Sequence, residues 1–394
     1  MLALVGSMPV YSQDATIAAF EILQPGASAP DTPPMISGTT SSQRSAVDQH
    51  PAIRGIRMNP VLGALVPGQD FYMPLPDGSR IEVTVDRSER LSNGDIQLVG
   101  TFADNGDNGS VIMTIGERST FASISSRRHL FNISIDADQQ QFIVDPRASD
   151  DFSVDLGEDM RLLAPPVGGA GETAGRASSQ APMALNGPGD TEVTLLAVYS
   201  PEFAAGFNNS PVTRINQMLV FANEAYARSG IDLEVVLAHA AEVDFNNSLG
   251  TGTLLDQVTV GSGDFSGVGA LRNDHHADLV AVLKMSGGNS VSGIAWVNGD
   301  NPNYAFSATS FAPWGSDAVF SHEIGHNLGS GHERLSANPG QGSPCNGGFT
   351  GYSCGHGNGS EGTIMSYLND AAWSYVFSNP DIDCNGEPCG IPQG

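Results

Sequence analysis

The residues best suited to chemistry lie together in residues 321–333, which read SHEIGHNLGSGHE. On an α-helix, His322 and His326 stand four positions apart on one face, where two imidazoles can bind a single metal ion. Gly329 permits the left-handed backbone that ends a helix, so the chain can turn back and bring His332 to the same metal. Three neutral imidazoles leave a fourth position open, which is the arrangement of catalytic zinc sites.

Glu323 follows the first histidine and lies about 100° around the helix from it, so it does not share the histidine stripe. It is placed to accept a proton from a water molecule at the metal, and we predict it to be the catalytic general base. The alternative is a zinc-stabilised secreted binding or adhesion protein without turnover. Glu323 separates the two, because water activation requires this carboxylate and zinc binding does not.

The spacing H-E-x-x-H-x-x-G-x-x-H resembles the zinc signature of the metzincin metalloproteases, which carry a Met-turn further along the chain. Residues 363–367, TIMSY, match that turn. The resemblance implies that Met365 lies beneath the metal. It also implies a catalytic role for Tyr367, which matches the tyrosine that astacin-like and serralysin-like members offer to the zinc.

The subfamily features are mixed. HEIGHNLG resembles the reprolysin or adamalysin type, whereas Glu333, directly after the third histidine, resembles the astacin type. The runs DLVAVLK, SGIAWV and FSNPDI are most similar to bacterial reprolysin-like secreted peptidases, the peptidyl-Asp group among them. The resemblance covers roughly residues 190–380 and implies a zinc endopeptidase.

Residues 190–394 alternate between strand-like and helix-like patterns. Four apolar residues at helical spacing predict a helix over 212–228, and Gly230 stands where a helix cap belongs. The pattern predicts an α/β domain, a mixed twisted sheet with flanking helices, to which the resemblance adds the zinc helix and the Met-turn. The strands are predicted over 192–199, 231–238, 278–284, 293–297 and 304–309.

The predicted strand over 293–297 precedes the zinc segment. In the family that the chain resembles, a strand in this place takes the polypeptide substrate as an added extended strand. An ordinary half-buried strand is the other interpretation.

The chain before residue 190 has a different character. Short alternating runs between 51 and 163, separated by turn residues, predict a mainly antiparallel β domain, which resembles a pro-domain by its position alone. Residues 13–50 are rich in Pro, Ser and Thr and predict a disordered linker. Residues 164–189 lack an apolar face and predict an exposed, cleavable linker.

The cellular destination is predicted from the two ends of the chain. Residues 1–12 hold a short apolar run before a signal-peptidase-like site, without a positively charged start, and are interpreted as a remnant secretory signal; a merely apolar N-terminus is the alternative. All four cysteines lie in the last fifty residues, and their even number favours disulfides in an oxidising compartment. Proximity favours the pairs Cys345–Cys354 and Cys384–Cys389. We therefore expect a secreted, extracellular protein.

The charge balance restricts the partners. The chain has 43 acidic and 17 basic side chains and a net charge of −26, and 21 of the acidic but 5 of the basic residues lie from 190 onward. Such a charge opposes binding to nucleic acid or to anionic lipid and favours neutral or basic peptides. No stretch is apolar over the 18 or more residues that a membrane span needs. A monomer is expected.

The β domain is expected to act as an intramolecular inhibitor. No cysteine precedes Cys345, so a pro-domain thiolate cannot block the metal. An aspartate, as in astacin-like zymogens, is the available chemistry, with Asp190 as a candidate; steric filling of the cleft is the alternative.

A calcium site is a second metal possibility. The residues Asp381, Asp383, Asn385 and Gly386 match the start of an EF-hand loop, but Pro392 stands where its glutamate ligand belongs. A looser Ca²⁺ site and a disulfide-closed turn stay open.

Overall fold

The computed structural model describes two β-sheet units and the helices packed on them. The described residues are 17–23, 53–104, 107–126, 128–135, 139–148, 159–162, 191–285, 292–297, 301–312, 317–333, 354–357, 362–366, 375–384 and 386–390.

Ten strands form the first sheet. They are β1 (Ile17–Ala18), β2 (Phe20–Ile22), β3 (Ile53–Met58), β4 (Asp70–Pro74), β5 (Arg80–Arg90), β6 (Ile96–Asp104), β7 (Asp107–Ile115), β8 (Thr120–Ser125), β9 (Leu130–Ile135) and β10 (Gln141–Val144).

This sheet closes on itself. Its order is β1-β4-β5-β6-β7-β8-β9-β10-β3-β2, and only Ala19 separates β1 from β2. One short segment thus pairs with β4 on one side and β3 on the other, which makes the sheet a barrel. All neighbours are antiparallel except β1 and β4. Side chains alternate, so that Val111 and Met113 fill the barrel interior whereas Ile112 points outward.

The second sheet has six strands, and five α-helices accompany it. The strands are β11 (Met160–Leu162), β12 (Glu192–Tyr199), β13 (Glu234–Glu242), β14 (Leu279–Met285), β15 (Gly293–Val297) and β16 (Phe306–Phe311). The helices are α1 (Pro201–Gly206), α2 (Pro211–Arg228), α3 (Thr251–Val260), α4 (Val268–Asp274) and α5 (Asp317–Asn327). A separate hairpin consists of β17 (Asn379–Cys384) and β18 (Glu387–Cys389), and 3-10 turns cover Pro60–Ala64, Gly263–Phe265 and Pro302–Tyr304.

The six strands are ordered β11-β15-β16-β14-β12-β13. Strands β12, β13, β14 and β16 are parallel, β15 is antiparallel to β16, and β11 runs parallel to β15 at the edge of the sheet. Helices α1, α2 and α5 share an apolar cluster on one face of this sheet. Helices α3 and α4 pack on the other face. This is the mixed α/β architecture that the sequence predicts for residues 190–394.

Helix α2 joins the barrel to the second sheet. Apolar side chains from the outside of the barrel belong to the same cluster as this helix: Val99, Ile112, Phe121 and Ile135. Its polar residues bond to the barrel as well, since Gln217 Nε2 donates to the Ile112 carbonyl at 3.1 Å and Asn216 Nδ2 donates to Asp95 at 2.9 Å. Helix α2 is therefore buried between the barrel and the second sheet. Gly230, the predicted cap residue, has a φ of 68° directly after the end of this helix.

Two boundaries predicted from the sequence are wrong. The predicted disordered linker over 13–50 contains β1 and β2, whose backbone pairs with β3 and β4 and whose Phe20 is buried. The predicted β domain over 51–163 contains β11, which pairs with β15 of the second sheet instead of the barrel. Both segments are too short to show a hydrophobic period.

Most predicted strands have their observed bounds to within a few residues, and 192–199 and 293–297 agree fully. The strands predicted over 231–238 and 304–309 lie further along the chain, as β13 and β16. Helices α3 and α4 were not predicted. Within the described residues, no helix combines the length and apolar composition that a bilayer span requires.

Candidate active site

Helix α5 places the first two histidines of the site. It begins at Asp317, an acidic residue suited to the positive end of the helix dipole, and it ends at Asn327. Gly329 has a φ of 96°, and the amide of Ser330 donates to the Gly325 carbonyl at 2.9 Å, a turn that closes the helix end. The chain then returns to bring His332 beside the helix.

The three histidines converge through their Nε2 atoms. His332 Nε2 lies 3.2 Å from His322 Nε2 and 3.1 Å from His326 Nε2, and all three rings are buried. His322 Nδ1 donates to the Ile364 carbonyl at 2.7 Å, and His326 Nδ1 donates to the Ser330 carbonyl at 2.7 Å. These bonds hold the ring protons on Nδ1, so the Nε2 lone pairs point towards a common centre.

Asp159, the residue before β11, completes this cluster. Its carboxylate lies 3.0 Å from His332 Nε2, 3.2 Å from His322 Nε2 and 3.8 Å from His326 Nε2. It is 1% exposed, and neither oxygen receives a hydrogen bond from the described residues. A buried carboxylate facing imidazole lone pairs is unfavourable unless a cation lies between them.

The four side chains fit a zinc ion. Zinc–nitrogen bonds of about 2.0–2.1 Å in a tetrahedron place neighbouring ligand atoms about 3.3 Å apart. The observed nitrogen–nitrogen distances are 3.1 and 3.2 Å, and the four ligand atoms all lie within 4.8 Å of one another. Among the described residues, this is the one group of three or more His, Cys, Asp or Glu that could share a metal. Calcium therefore has no support at Asp381 and Asp383.

Glu323 points towards the edge of the sheet. A methyl group on Gly293 would come within 2.1 Å of Glu323 Oε1, so the carboxylate lies directly against the backbone of β15. Neither carboxylate oxygen has a hydrogen-bond partner in the described part of the chain. Burial raises the pKa of Glu323 well above its ordinary value, and the negative charge of Asp159 raises it further.

The segment 363–366 forms a turn under the histidines. The amide of Ser366 donates to the Thr363 carbonyl at 2.9 Å, and Met365 is buried. A methyl group on Gly325 would lie 2.6 Å from Met365 Sδ, so this glycine allows the turn to contact helix α5. The turn also provides the carbonyl of Ile364 that orients the first histidine.

Several predicted features lie outside the described residues. These are Tyr367, Asp190, Cys345, the apolar start over 1–12 and the linker over 164–189. The predicted pair Cys384–Cys389 is confirmed as a disulfide, and it closes the β17–β18 hairpin. In that hairpin, the Asp383 carboxylate accepts a bond from the Gly386 amide at 2.7 Å.

Sequence reasoning missed Asp159. An aspartate at the metal was anticipated, but no local pattern distinguished Asp159 from its acidic neighbours. The available signal was the alternation of apolar Met160 and Leu162 with polar residues directly before the linker. This alternating segment is only three residues long, which is too short to predict a strand.

Comparison with known proteins agrees with this geometry. A model of the reprolysin-like metallopeptidase family M12B matches residues 191–393, and a model of a BamI lipocalin-like domain matches residues 39–148. A curated relative, a peptidyl-Asp metalloendopeptidase of Pseudomonas aeruginosa, is 28% identical over 222 residues. That match covers 50% of this chain and 36% of the relative, so the chain spans about a third of the relative's length.

Two solved structures are similar in part. Metalloproteinase-II from Bacteroides fragilis is 12% identical with a TM-score of 0.42, covering 69% of this chain and 84% of the other. A chaperone–substrate complex is 16% identical with a TM-score of 0.40, covering 82% of this chain and 38% of the other. Both scores lie below 0.5, too low to establish a common fold.

Proposed function

The chain belongs to the reprolysin-like metallopeptidase family M12B, and on that premise we propose that it is a zinc endopeptidase made in a latent form. The observation that carries the proposal is the convergence of three Nε2 atoms beside a buried glutamate at a sheet edge. His322, His326 and His332 hold the metal as neutral ligands. Zinc, when bound, supplies a Lewis acid that lowers the pKa of a water molecule towards about 7 and polarises a carbonyl group.

Glu323 acts as the general base. Its carboxylate accepts the proton of the attacking water and passes it to the leaving amine. Burial without a hydrogen-bond donor keeps the carboxylate basic, and the backbone of Gly293 holds it at the end of the cleft. A binding protein without turnover would have no use for a carboxylate in this environment. Tyr367 is proposed to assist the developing oxyanion, as the family resemblance implies.

Strand β15 is the proposed binding edge for an extended polypeptide. Among the described residues, its neighbours in the sheet are the outermost strand, β11, on one side and β16 on the other. In the latent chain the edge is taken by β11, which pairs Met160 with Ala295 and Leu162 with Val297. A substrate strand would take the same backbone donors and acceptors.

Latency follows from the same contacts. Asp159 would fill the fourth position of a zinc ion held by the three histidines, where water and substrate must come, and β11 would cover the substrate edge. We propose that residues before about 190 form the inhibitory part and that cleavage in the 164–189 linker leads to its release. The Cys384–Cys389 disulfide supports an oxidising, extracellular destination.

The experiment compares wild type and Glu323→Gln after proteolysis of the linker. We expect the variant to keep one zinc per chain but to hydrolyse peptides about 10²- to 10⁴-fold more slowly, because an amide cannot accept the proton. His326→Ala serves as the contrasting variant, which should lose the zinc on elemental analysis. Undiminished turnover in Glu323→Gln would remove this residue from the mechanism. Zinc binding without any hydrolysis by the wild type would favour the binding-protein alternative.

A further inference from the structure

The inhibitory segment makes a second contact, on the opposite face of the second sheet from the zinc helix. Arg161 lies opposite Trp296 in the pairing of β11 with β15. Its guanidinium forms an ion pair with Asp256 of helix α3 and donates to the Gly252 carbonyl at 3.4 Å. The same group lies 5.7 Å from the centre of the Trp296 ring. One basic side chain is thus held by a carboxylate and an aromatic face together.

The receiving groups are positioned without help from Arg161. Trp296 Nε1 donates to Thr259 Oγ1 at 2.9 Å, and the ring meets Tyr304 edge-on at 5.0 Å. Asp256 projects from helix α3, which is anchored by its buried leucines, and its side chain is 53% exposed with Arg161 in place. In the described residues, Asp256 pairs with no other cation. A free enzyme would therefore present an oriented indole and an unneutralised carboxylate at this point.

We infer that Asp256 and Trp296 form a subsite that selects a basic side chain in the substrate, and that Arg161 occupies this subsite in the latent chain. The inference rests on the proposed function, in which a substrate strand replaces β11 on β15. Residues opposite each other on paired strands point to the same face of the sheet, whichever way the strands run. The substrate residue opposite Trp296 must therefore point towards helix α3, as Arg161 does.

The strand register predicts where the basic residue lies in the substrate, and the chemistry of the subsite predicts which basic residue is preferred. Arg161 is two residues from Asp159, whose carboxylate is at the metal centre, so the basic residue should lie about two positions from the scissile bond. A planar guanidinium can stack on the indole and pair with the carboxylate at once, which favours arginine over lysine. A glutamate in the same place would face Asp256 and should be rejected.

The test uses the zinc-loaded chain cut in the 164–189 linker and a set of fluorogenic peptides. Arginine is moved through each position on both sides of the scissile bond and compared with glutamine and glutamate at the same place. We expect kcat/KM to favour arginine about 3- to 30-fold at one position, two residues from the cleaved bond. Asp256→Asn should reduce that preference about 2- to 5-fold.

Asp244→Asn is the matched control. It removes the same charge from an exposed loop after β13, at the far edge of the second sheet, four strand spacings from β15. This control should keep the arginine preference of the wild type. An equal loss in both variants would mean that only the overall negative charge attracts basic peptides, and it would overturn the subsite, as would an Asp256→Asn enzyme with the wild-type preference.

A binding measurement separates this inference from the proposed function. The peptide Asp-Met-Arg-Leu-Leu, the sequence of residues 159–163, is titrated into the cut chain and compared with its Arg→Gln form. Weaker binding of the glutamine peptide to wild type, but not to Asp256→Asn, supports the subsite even without turnover. Equal binding of the two peptides overturns it, whether or not peptides are hydrolysed.

Discussion

At the scale of single residues, the site depends on groups whose identity the zinc signature does not specify. The spacing of the histidines explains why they face one another, but two backbone carbonyls, of Ile364 and Ser330, direct their lone pairs inward. Glu323 depends likewise on Gly293, because any larger residue there would occupy the space of the carboxylate. The proposed general base, Glu323, is thus positioned by the absence of a side chain at Gly293 on the neighbouring strand.

Gly293→Ala should impair catalysis without removing the metal. Its Cβ would lie 2.1 Å from Glu323 Oε1 and 2.5 Å from the carboxyl carbon, so the carboxylate must move. Displacement of a positioned general base lowers kcat, here by about 10²-fold or more. Steady-state kinetics and zinc analysis of the cut chain check this result.

Gly267→Ala provides the control for this substitution, because a Cβ at that position meets no atom within 4 Å. It should leave kcat unchanged. A Gly293→Ala enzyme with wild-type kcat would show that Glu323 tolerates another position.

At the scale of elements, local patterns in the sequence predict some helices and strands but give no indication of others. Alternation of apolar residues predicted most barrel strands, and the four-residue spacing placed both histidines on helix α5, since each signal is contained in a few residues. Helix α3 was missed because TGTLLDQVTV is rich in β-branched residues and contains Gly252, all poor helix formers. Its buried leucines stabilise it through tertiary packing, which no local propensity reports.

Strand β11 shows most clearly what the sequence alone could not predict. Three residues carry no period, and the partners of Asp159 lie more than 160 residues further along the chain. In a chain without an early cysteine, chemistry indicates an oxygen ligand if the metal is blocked directly, and steric filling of the cleft is the alternative. Only the pairing of β11 with β15 identifies which carboxylate reaches the metal site.

Asp159→Ala should raise the activity of the uncut chain. One charged contact of the inhibitory segment is lost, equivalent to about 1.5–3 kcal/mol or about 10- to 100-fold in the population of the open state. Asp77→Ala, in an exposed turn of the barrel, should leave the uncut chain latent. Peptide hydrolysis before and after linker cleavage provides the measurement.

Two results would change the latency proposal. An Asp159→Ala chain that stays silent until it is cut would assign latency to coverage of the edge by β11 alone. A fully active uncut wild type would make the barrel a permanent accessory domain.

At the scale of the whole molecule, the barrel contacts the elements that build the site. Asp317, at the start of helix α5, pairs with Arg214 of helix α2 and accepts bonds from Gln217 of that helix and from Ser123 of the barrel. All four side chains are buried. Helix α5, helix α2 and the barrel therefore share one polar network. The barrel contributes to it the Ser123 hydroxyl and the Ile112 carbonyl, which accepts from Gln217.

Ser123→Ala should destabilise the uncut chain. The hydroxyl donates to Asp317 Oδ2 at 2.7 Å in a buried environment, and hydrogen bonds to charged groups contribute about 1.5–3 kcal/mol. Asp317 keeps Arg214 and Gln217 as partners, so the helix should still form and the loss should stay within that range.

Ser88→Ala, the same change on β5 where the hydroxyl makes no bond among the described residues, should shift the free energy of unfolding by less than about 0.5 kcal/mol. Denaturant unfolding of the uncut wild type and of both uncut variants provides the measurement. If Ser123→Ala unfolded at the wild-type denaturant concentration in the uncut chain, the Ser123 hydroxyl would contribute nothing measurable, and the barrel would be held by its other contacts with helix α2.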